Sequence, residues 1–292
     1  MRGLPYVLML LAPALPFVQA HIDSRLGALR ARREVLYLWS GEQIRRLTPG
    51  FENLMADVYW LRTVQYFGGE RAFSAEKRFD LLAPLIDITT TLDPRLEIAY
   101  RYGATFLAEP SPMGADRPQE AIKLLRRGVA RNPRNWRLAQ DLGLFYSFFM
   151  NDPVAASQVL LDAAKIPGAP PFLASLAGQV LIKGGERQSA KLLWQQIYSQ
   201  SEPGQLKDNA GIHLRQLQSL DAVDALNAAA RDFEQRVGRP PATLEELRRS
   251  GLTTAPNTDA AGTAFEYNPS AGKASLSPKS PLWRSDLAKY AR

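Results

Sequence analysis

Prolines recur at nearly regular intervals through the middle of this chain, and they constrain its fold more than any other feature. Each follows a segment in which apolar residues recur at spacings of three and four, the pattern of an amphipathic helix. Proline ends an α-helix because it lacks an N–H and clashes with the preceding turn. The four are Pro94, Pro133, Pro167 and Pro203. Their nearly constant spacing, with a period of about 34 residues, predicts a stack of helix–turn–helix repeats.

Small residues recur with a similar period. Gly143 is followed by Ala155, and Gly178 is followed at the same spacing by Ala190. A small side chain on each of two helices lets them approach closely, while larger residues fill the holes between units. The pattern therefore predicts that each glycine lies where the two helices of its unit touch.

These units resemble the tetratricopeptide (TPR) repeat. The resemblance is carried in the third unit by Leu142-Gly143, Tyr146, Ala155 and Pro167. The fourth unit has Gly178, Ala190 and Trp194; the second has Tyr102-Gly103, Phe106, Ala121, Leu125 and Pro133; a degenerate first unit has Tyr59, Tyr66, Ala75, Phe79 and Pro94. About half of the chain, residues 50–203, is covered, which implies an α-solenoid of three to four helix pairs with a concave face for a partner.

The first unit is also similar to a group of exported bacterial TPR proteins that have no assigned activity. The residues that carry this likeness are Gly50-Phe51, the run from Ala56 to Arg62, Gln65-Tyr66-Phe67-Gly68 and Leu92-Asp93-Pro94. The likeness implies export and a repeat architecture, without a mechanism.

The TPR resemblance also implies a binding groove, because the first helix of each pair lines it. Carried onto this chain, the groove positions are Trp60, Val64, Glu97, Tyr100, Leu107, Arg137, Gln140, Leu144, Phe148, Gln179 and Lys183. Their mixture of aromatic, apolar and polar groups favours a peptide or helix of another protein over a phosphate or a nucleic acid. For Trp60, Tyr100 and Phe148, packing between repeats is the alternative. Asp57, beside apolar neighbours, is predicted to form a buried ion pair with an arginine.

The N-terminus predicts export. Arg2 precedes an uncharged run from Leu4 to Val18, and Val18-Gln19-Ala20 ends it with a signal-peptidase pattern. Residues 1–20 are therefore expected to be a cleaved signal, followed by a lead-in over 21–49. An uncleaved anchor, which would associate the chain with a membrane, is the alternative. Either places the protein in the periplasm or cell envelope.

The C-terminal part has a different pattern. Residues 204–237 are expected to add further helices to the solenoid, with one amphipathic helix over Asp221–Val237. Residues 238–292 predict a small α+β module, with a capping box at Thr243-Leu244-Glu245-Glu246 and a hairpin pairing Phe265-Glu266-Tyr267 with Lys273-Ala274-Ser275-Leu276. This order of elements resembles the globular end of type II secretion major pseudopilins, although Asp259-Ala260-Ala261-Gly262 departs from their Asp-Pro-Trp-Gly stretch.

Composition limits the chemistry available to the chain. It has no cysteine and only two histidines, His21 and His213, so thiol chemistry is excluded and a histidine-rich metal site or a Ser–His–Asp triad has little to draw on. One carboxylate near Asp259 is too few for calcium, so no metal or other cofactor is expected. The net charge of +7 is spread along the chain, which disfavours nucleic acid as a partner.

The function expected from the sequence is that of a non-enzymatic scaffold for protein–protein interaction, serving the assembly of a secretion or pilus-like system. The sequence leaves two alternatives open. One is a glycan-active envelope enzyme built on the α-solenoid, for which Glu97 is the groove acid. The other is a purely structural spacer between envelope components.

Overall fold

The computed structural model describes residues 39–284, and the signal predicted at 1–20 lies outside the described residues. The described part contains eleven α-helices and one two-stranded sheet. In chain order the elements are α1 (Gly41–Leu47), α2 (Glu52–Phe73), α3 (Leu82–Leu92), α4 (Glu97–Ala108), α5 (Pro118–Arg131), α6 (Trp136–Phe149), α7 (Pro153–Ala164), α8 (Phe172–Lys183), α9 (Arg187–Gln200), α10 (Gln205–Val237), α11 (Leu244–Arg249), β1 (Glu266–Asn268) and β2 (Lys273–Ser275).

Consecutive helices pack as pairs, which confirms the mainly α-helical solenoid predicted from the repeat. The pairs are α2 with α3, α4 with α5, α6 with α7, and α8 with α9. Each of the four prolines closely follows the end of the second helix of a pair. One hydrophobic core runs through the pairs and into α10.

Glycines mark the closest approaches within the third and fourth pairs. A Cβ atom at Gly143 would lie 2.7 Å from Cγ of Leu160 and 3.2 Å from the backbone oxygen of Ala156. A Cβ atom at Gly178 would lie 2.4 Å from Cε2 of Trp194, whose side chain is fully buried. The shortest of these distances are below what real Cβ contacts allow, so each position requires glycine. The predicted contact is confirmed at both glycines.

The second pair differs from the predicted frame by one position. Gly103 faces Ile86 of the preceding pair, not a residue of its own pair. The contact inside the pair is made by Tyr100 of α4, which lies against Gly128 of α5. The sequence of buried and exposed positions in α4 matches that in α6 when Ala104, and not Gly103, is aligned with Gly143. The prediction that Gly103 plays the part of Gly143 was therefore wrong.

Helix α10 belongs to two cores. The predicted helix began at Asp221, but the structure begins it at Gln205 and continues it for 33 residues. Its first half packs on α9, where His213 stacks on Trp194 at a ring-centroid distance of 4.2 Å. Its second half contributes Val223, Leu226 and Phe233 to a separate core shared with α11 and the hairpin.

Hydrogen bonds from buried side chains hold the C-terminal module on α10. Asn227 of α10 accepts from the Ala274 N–H at 2.7 Å and donates to the Ala274 carbonyl at 3.2 Å, which fixes strand β2 to the helix. Buried Asp259 accepts from the backbone N–H groups of Ala261 and Thr263 at 2.8 and 2.9 Å, and from the Ser280 hydroxyl. Asp259 therefore organises its own loop.

The rest of the module has the predicted capped short helix and hairpin, but the Glu246 carboxylate accepts from the Ala242 N–H and not from that of Thr243, so the capping box is incomplete. Strands β1 and β2 form an antiparallel hairpin, with Glu266 opposite Ser275. Thr243 caps α11 by accepting from the Glu246 N–H at 3.1 Å, and the Glu246 carboxylate accepts from the Ala242 N–H at 2.6 Å. Between residues 39 and 284, no helix has both the length and the apolar composition that crossing a bilayer requires.

Replacement of Gly178 by alanine tests the close contact with Trp194. The new methyl group overlaps the indole, so Gly178→Ala should lower the free energy of unfolding by about 1–3 kcal/mol. The matched control is Gly68→Ala on α2, where the position is open to solvent and a Cβ would meet no atom within 4 Å. Because alanine favours helix over glycine, this control should gain roughly 0.5–1 kcal/mol. Urea denaturation of both variants measures whether the free energy of unfolding falls or rises. A rise in Gly178→Ala would contradict the packing described.

Candidate protein-binding face

The first helices of the pairs form one layer of the solenoid. Helix α4 contacts α6 directly, and α8 contacts α10, whereas no two second helices of the described pairs approach each other as closely. In the helix–turn–helix frame predicted from the sequence, the layer of first helices lines the concave side of the stack. We call its solvent-accessible side the inner face; it consists of Val64, Ile98, Tyr102, Thr105, Gln140, Leu144, Phe148, Gln179 and Lys183.

Six of the predicted groove residues lie on first helices and are at least partly open to solvent. They are Val64, Gln140, Leu144, Phe148, Gln179 and Lys183. Phe148 is highly accessible, with 70% of its surface exposed, so packing between repeats does not account for its position. Leu144 is half-buried, and its side chain adds apolar surface between Phe148 and Gln140.

Two predicted groove residues were wrong. Tyr100 and Leu107 are 0% and 2% exposed and belong to the solenoid core. The cause is the error of one position in the frame of the second pair, which rotates each assigned position of α4 by about 100° around the helix axis. In the corrected frame Ile98, Arg101 and Thr105 are the equivalents of Arg137, Gln140 and Leu144. Tyr102, which the sequence marked only as a consensus residue, is 55% exposed on the same side.

An aromatic cluster closes the N-terminal end of the inner face. Trp60 of α2 stacks on Phe106 of α4, with ring centroids 6.1 Å apart and planes 3° from parallel. Phe67 also stacks on Phe106, with ring centroids 4.0 Å apart, and the Tyr102 ring centroid lies 6.5 Å from that of Phe106. Trp60 is half-buried in this cluster, so packing between repeats accounts for much of its surface.

A network of charged and polar groups links α4 to α6 beside the aromatic cluster. The Arg101 guanidinium donates to Asp141 at 2.5 Å and to Glu97 at 3.3 Å. The other Glu97 oxygen accepts from Asn135 Nδ2 at 2.6 Å. The hydrogen bond to Asp141 raises the pKa of Arg101 above its ordinary value, so Arg101 keeps its charge. Both oxygens of Glu97, the acid of the glycan-enzyme alternative, are thus occupied by contacts within and between neighbouring helices.

Two other residues singled out from the sequence, Arg137 and Asp57, are exposed. Arg137 is exposed at the start of α6, where its guanidinium carbon lies 4.6 Å from the centroid of the Trp136 ring. Asp57 is also exposed, so the prediction of a buried ion pair for it was wrong. It lies on α2, which is preceded among the described residues by the short helix α1 and not by a helix pair.

Comparison with protein-family models, with curated proteins and with solved structures finds no match to this chain. Within residues 39–284, no three histidine or acidic side chains are grouped as metal ligands would be. The physical case for a function therefore depends on the inner face itself.

The loss of folding stability at alkaline pH tests whether Tyr100 is buried. Burial raises the pKa of the Tyr100 phenol, and the nearby Arg131 guanidinium offsets only part of this effect. In the unfolded chain a tyrosine loses its phenolic proton near pH 10, before Tyr100 of the folded chain does. The stabilising contribution of Tyr100 is therefore complete below about pH 10 and is lost as the pH rises through the pKa of the folded state. Tyr100→Phe should make the loss of stability above pH 10 less steep. Denaturation between pH 8 and 12, roughly, measures the slope, with Tyr102→Phe as the matched control; an unchanged slope in Tyr100→Phe would place the phenol in solvent.

Proposed function

We propose that this chain is a non-enzymatic, TPR-like interaction scaffold of the bacterial cell envelope, which binds a peptide or helix of a partner protein on its inner face. The observation that carries the proposal is the exposure of large apolar side chains there. Tyr102 and Phe148 present 55% and 70% of their surfaces to solvent from neighbouring first helices, and Val64 presents 40% from the helix before them. Burial of such groups against a partner is favourable by roughly 25 cal/mol per Å² of apolar surface.

The rigidity of the supporting helices favours binding over simple exposure. Aromatic side chains that project from a fixed backbone lose little conformational freedom on binding, and interface hot spots are rich in such groups. The Arg101–Asp141 ion pair fixes α4 against α6, the two helices that carry Tyr102 and Phe148. Polar groups at Gln140, Gln179 and Lys183 border the apolar surface, as the rim of a peptide-binding groove does.

Membership of the TPR class is part of the proposal, supported by the proline period and the glycine contacts at Gly143 and Gly178. The envelope location is supported by the apolar run from Leu4 to Val18 and the Val18-Gln19-Ala20 ending. A role in assembling a secretion or pilus-like system is supported by the pseudopilin-like order of helix, capped short helix and hairpin in the C-terminal module.

The inner face is tested with a double variant, Tyr102→Ser with Phe148→Ser. Both side chains are exposed, so the free energy of unfolding should stay within about 0.5 kcal/mol of the wild type. Loss of the two anchors should abolish capture of the partner, for which affinity purification of the mature protein from cross-linked envelopes, read by quantitative mass spectrometry, is the measurement.

The matched control is Val154→Ser with Leu192→Ser. These side chains are 54% and 59% exposed, but they lie on second helices, away from the inner face. The control should retain every protein that the wild type enriches. Equal enrichment by the wild type and the inner-face variant would show that this surface is not the binding site, and the C-terminal module would then be the surface to examine.

Export is tested separately by N-terminal sequencing of the protein from the envelope fraction. Cleavage after Ala20 should leave His21 as the first residue, because signal peptidase recognises the small residues Val18 and Ala20. A chain that retains Met1 and sediments with membranes would instead indicate the anchor.

A further inference from the structure

Two successive turns of the solenoid carry the same pair of residues. Pro94-Arg95 lies between α3 and α4, and Pro133-Arg134 lies at the equivalent place between α5 and α6. An open cleft of about 770 Å³ is lined by Arg95 of the first turn, by the second turn and the start of α6, and by Pro167-Gly168 of the turn that follows. Arg95, Arg134 and Arg137 all contribute to the cleft wall, and none of the described residues that line it is acidic.

The three guanidinium groups have no carboxylate partner in the part of the chain that the structure describes. Within residues 39–284, neither Arg95, Arg134 nor Arg137 forms an ion pair, and all three are exposed. Many other arginines of the solenoid are paired, such as Arg101 with Asp141 and Arg127 with Asp87. The cleft therefore concentrates three positive charges whose mutual repulsion a bound anion would relieve.

The backbone of the cleft is held in place by two asparagines. Asn132 Nδ2 donates to the Pro94 carbonyl at 2.9 Å, which ties the turn carrying Arg95 to the turn carrying Arg134. Asn135 Nδ2 donates to Glu97 while its Oδ1 accepts from the Arg137 N–H at 3.1 Å. The spacing of the backbone positions that carry the arginines is thus fixed before any ligand arrives, which lowers the cost of ordering them on binding.

Trp136 forms part of the wall beside Arg137. Its half-buried ring lies under the Arg137 guanidinium. A guanidinium stacked on an aromatic face keeps its N–H groups directed outward in its own plane, where a planar carboxylate can accept two of them.

We propose that this cleft binds a short acidic segment of a protein partner, through carboxylates that pair with Arg95, Arg134 and Arg137. The inference rests on the proposed function for the identity of the partner as a protein. The equivalent turns of the next two units end the basic row, because they carry Pro167-Gly168 and Pro203-Gly204. Gly168 has a φ of 81°, a conformation that arginine rarely adopts. A row confined to two units suits a few carboxylates, whereas a nucleic acid needs basic groups along a longer path.

Fluorescence anisotropy of a fluorescein-labelled octaglutamate peptide tests the proposal directly. The peptide should bind the full mature chain at low ionic strength, and binding should weaken as salt is added. The triple variant R95Q/R134Q/R137Q should raise Kd by about tenfold or more, as expected for the loss of three exposed charge pairs. The matched control R215Q/R231Q/R248Q removes the same charge from exposed positions outside the cleft and should change Kd by less than about twofold. Circular dichroism confirms that each variant is folded.

Three further probes make the outcome decisive. Inorganic phosphate, a single-stranded oligodeoxynucleotide and vesicles of phosphatidylglycerol are titrated in the same way. Tighter binding of DNA or vesicles than of octaglutamate, lost in the same triple variant, would overturn the acidic-peptide assignment and give the cleft another anionic ligand. No binding of octaglutamate, or equal weakening in both triple variants, would also overturn it.

The inner-face variant separates this inference from the proposed function. Tyr102→Ser with Phe148→Ser leaves the cleft arginines intact and should bind octaglutamate as the wild type does. If octaglutamate does not bind, but the wild type still captures a partner that the inner-face variant loses, only the cleft proposal is rejected. If octaglutamate binds, but the inner-face variant captures the same partners as the wild type, only the proposed function is rejected.

Discussion

The contact between a large side chain and the bare backbone of its partner helix is the interaction on which this fold depends. Trp194 lies against Gly178, Leu160 against Gly143, and Tyr100 against Gly128. In the third and fourth pairs the glycine is on the first helix, whereas in the second pair it is on the second helix. In every pair the core side of the first helix is the same: Tyr100 is buried at the position equivalent to Ala139 of α6, whereas Tyr102 reaches solvent.

The sequence was sufficient to predict the architecture but not the register of every unit. Prolines and small residues leave direct marks in the sequence, because backbone chemistry and volume restrict what can replace them. The second unit was aligned wrongly with the third because Tyr102-Gly103 resembles Leu142-Gly143 but lies one position away from the equivalent place. The spacing from Pro94 to Pro133 contains the correct frame, since it equals the offset between the first residues of α4 and α6. The arginine cleft had no sequence signature beyond a repeated Pro-Arg pair, because its shape depends on how two turns meet.

Helix α10 shows a different limit of sequence reasoning. Its first half carries polar residues and Gly211 between its apolar positions, which hides the helical period. Tertiary packing decides the outcome there: Leu217 and Leu220 are buried against the solenoid, and Trp194 lies against His213. Ion pairs from Arg187 to Asp221 and Asp224 reinforce the same junction. These pairs are partly buried between the two helices, so they favour one register of the helices over others.

A single unbroken helix that enters two cores also connects them rigidly, as a shaft does. At about 1.5 Å per residue, the 33 residues of α10 extend for roughly 50 Å, without a hinge between the solenoid and the hairpin module. Torque or bending applied at one end is therefore transmitted to the other. The orientation of the module is set by the length of helix between Leu220 and Val223, since a single inserted residue would turn everything beyond it by about 100° around the shaft. An insertion at this point would also break the hydrogen bonds from Gln216 to the Leu282 carbonyl and from the Ala260 N–H to Ser219, which hold the module against the first half of the helix.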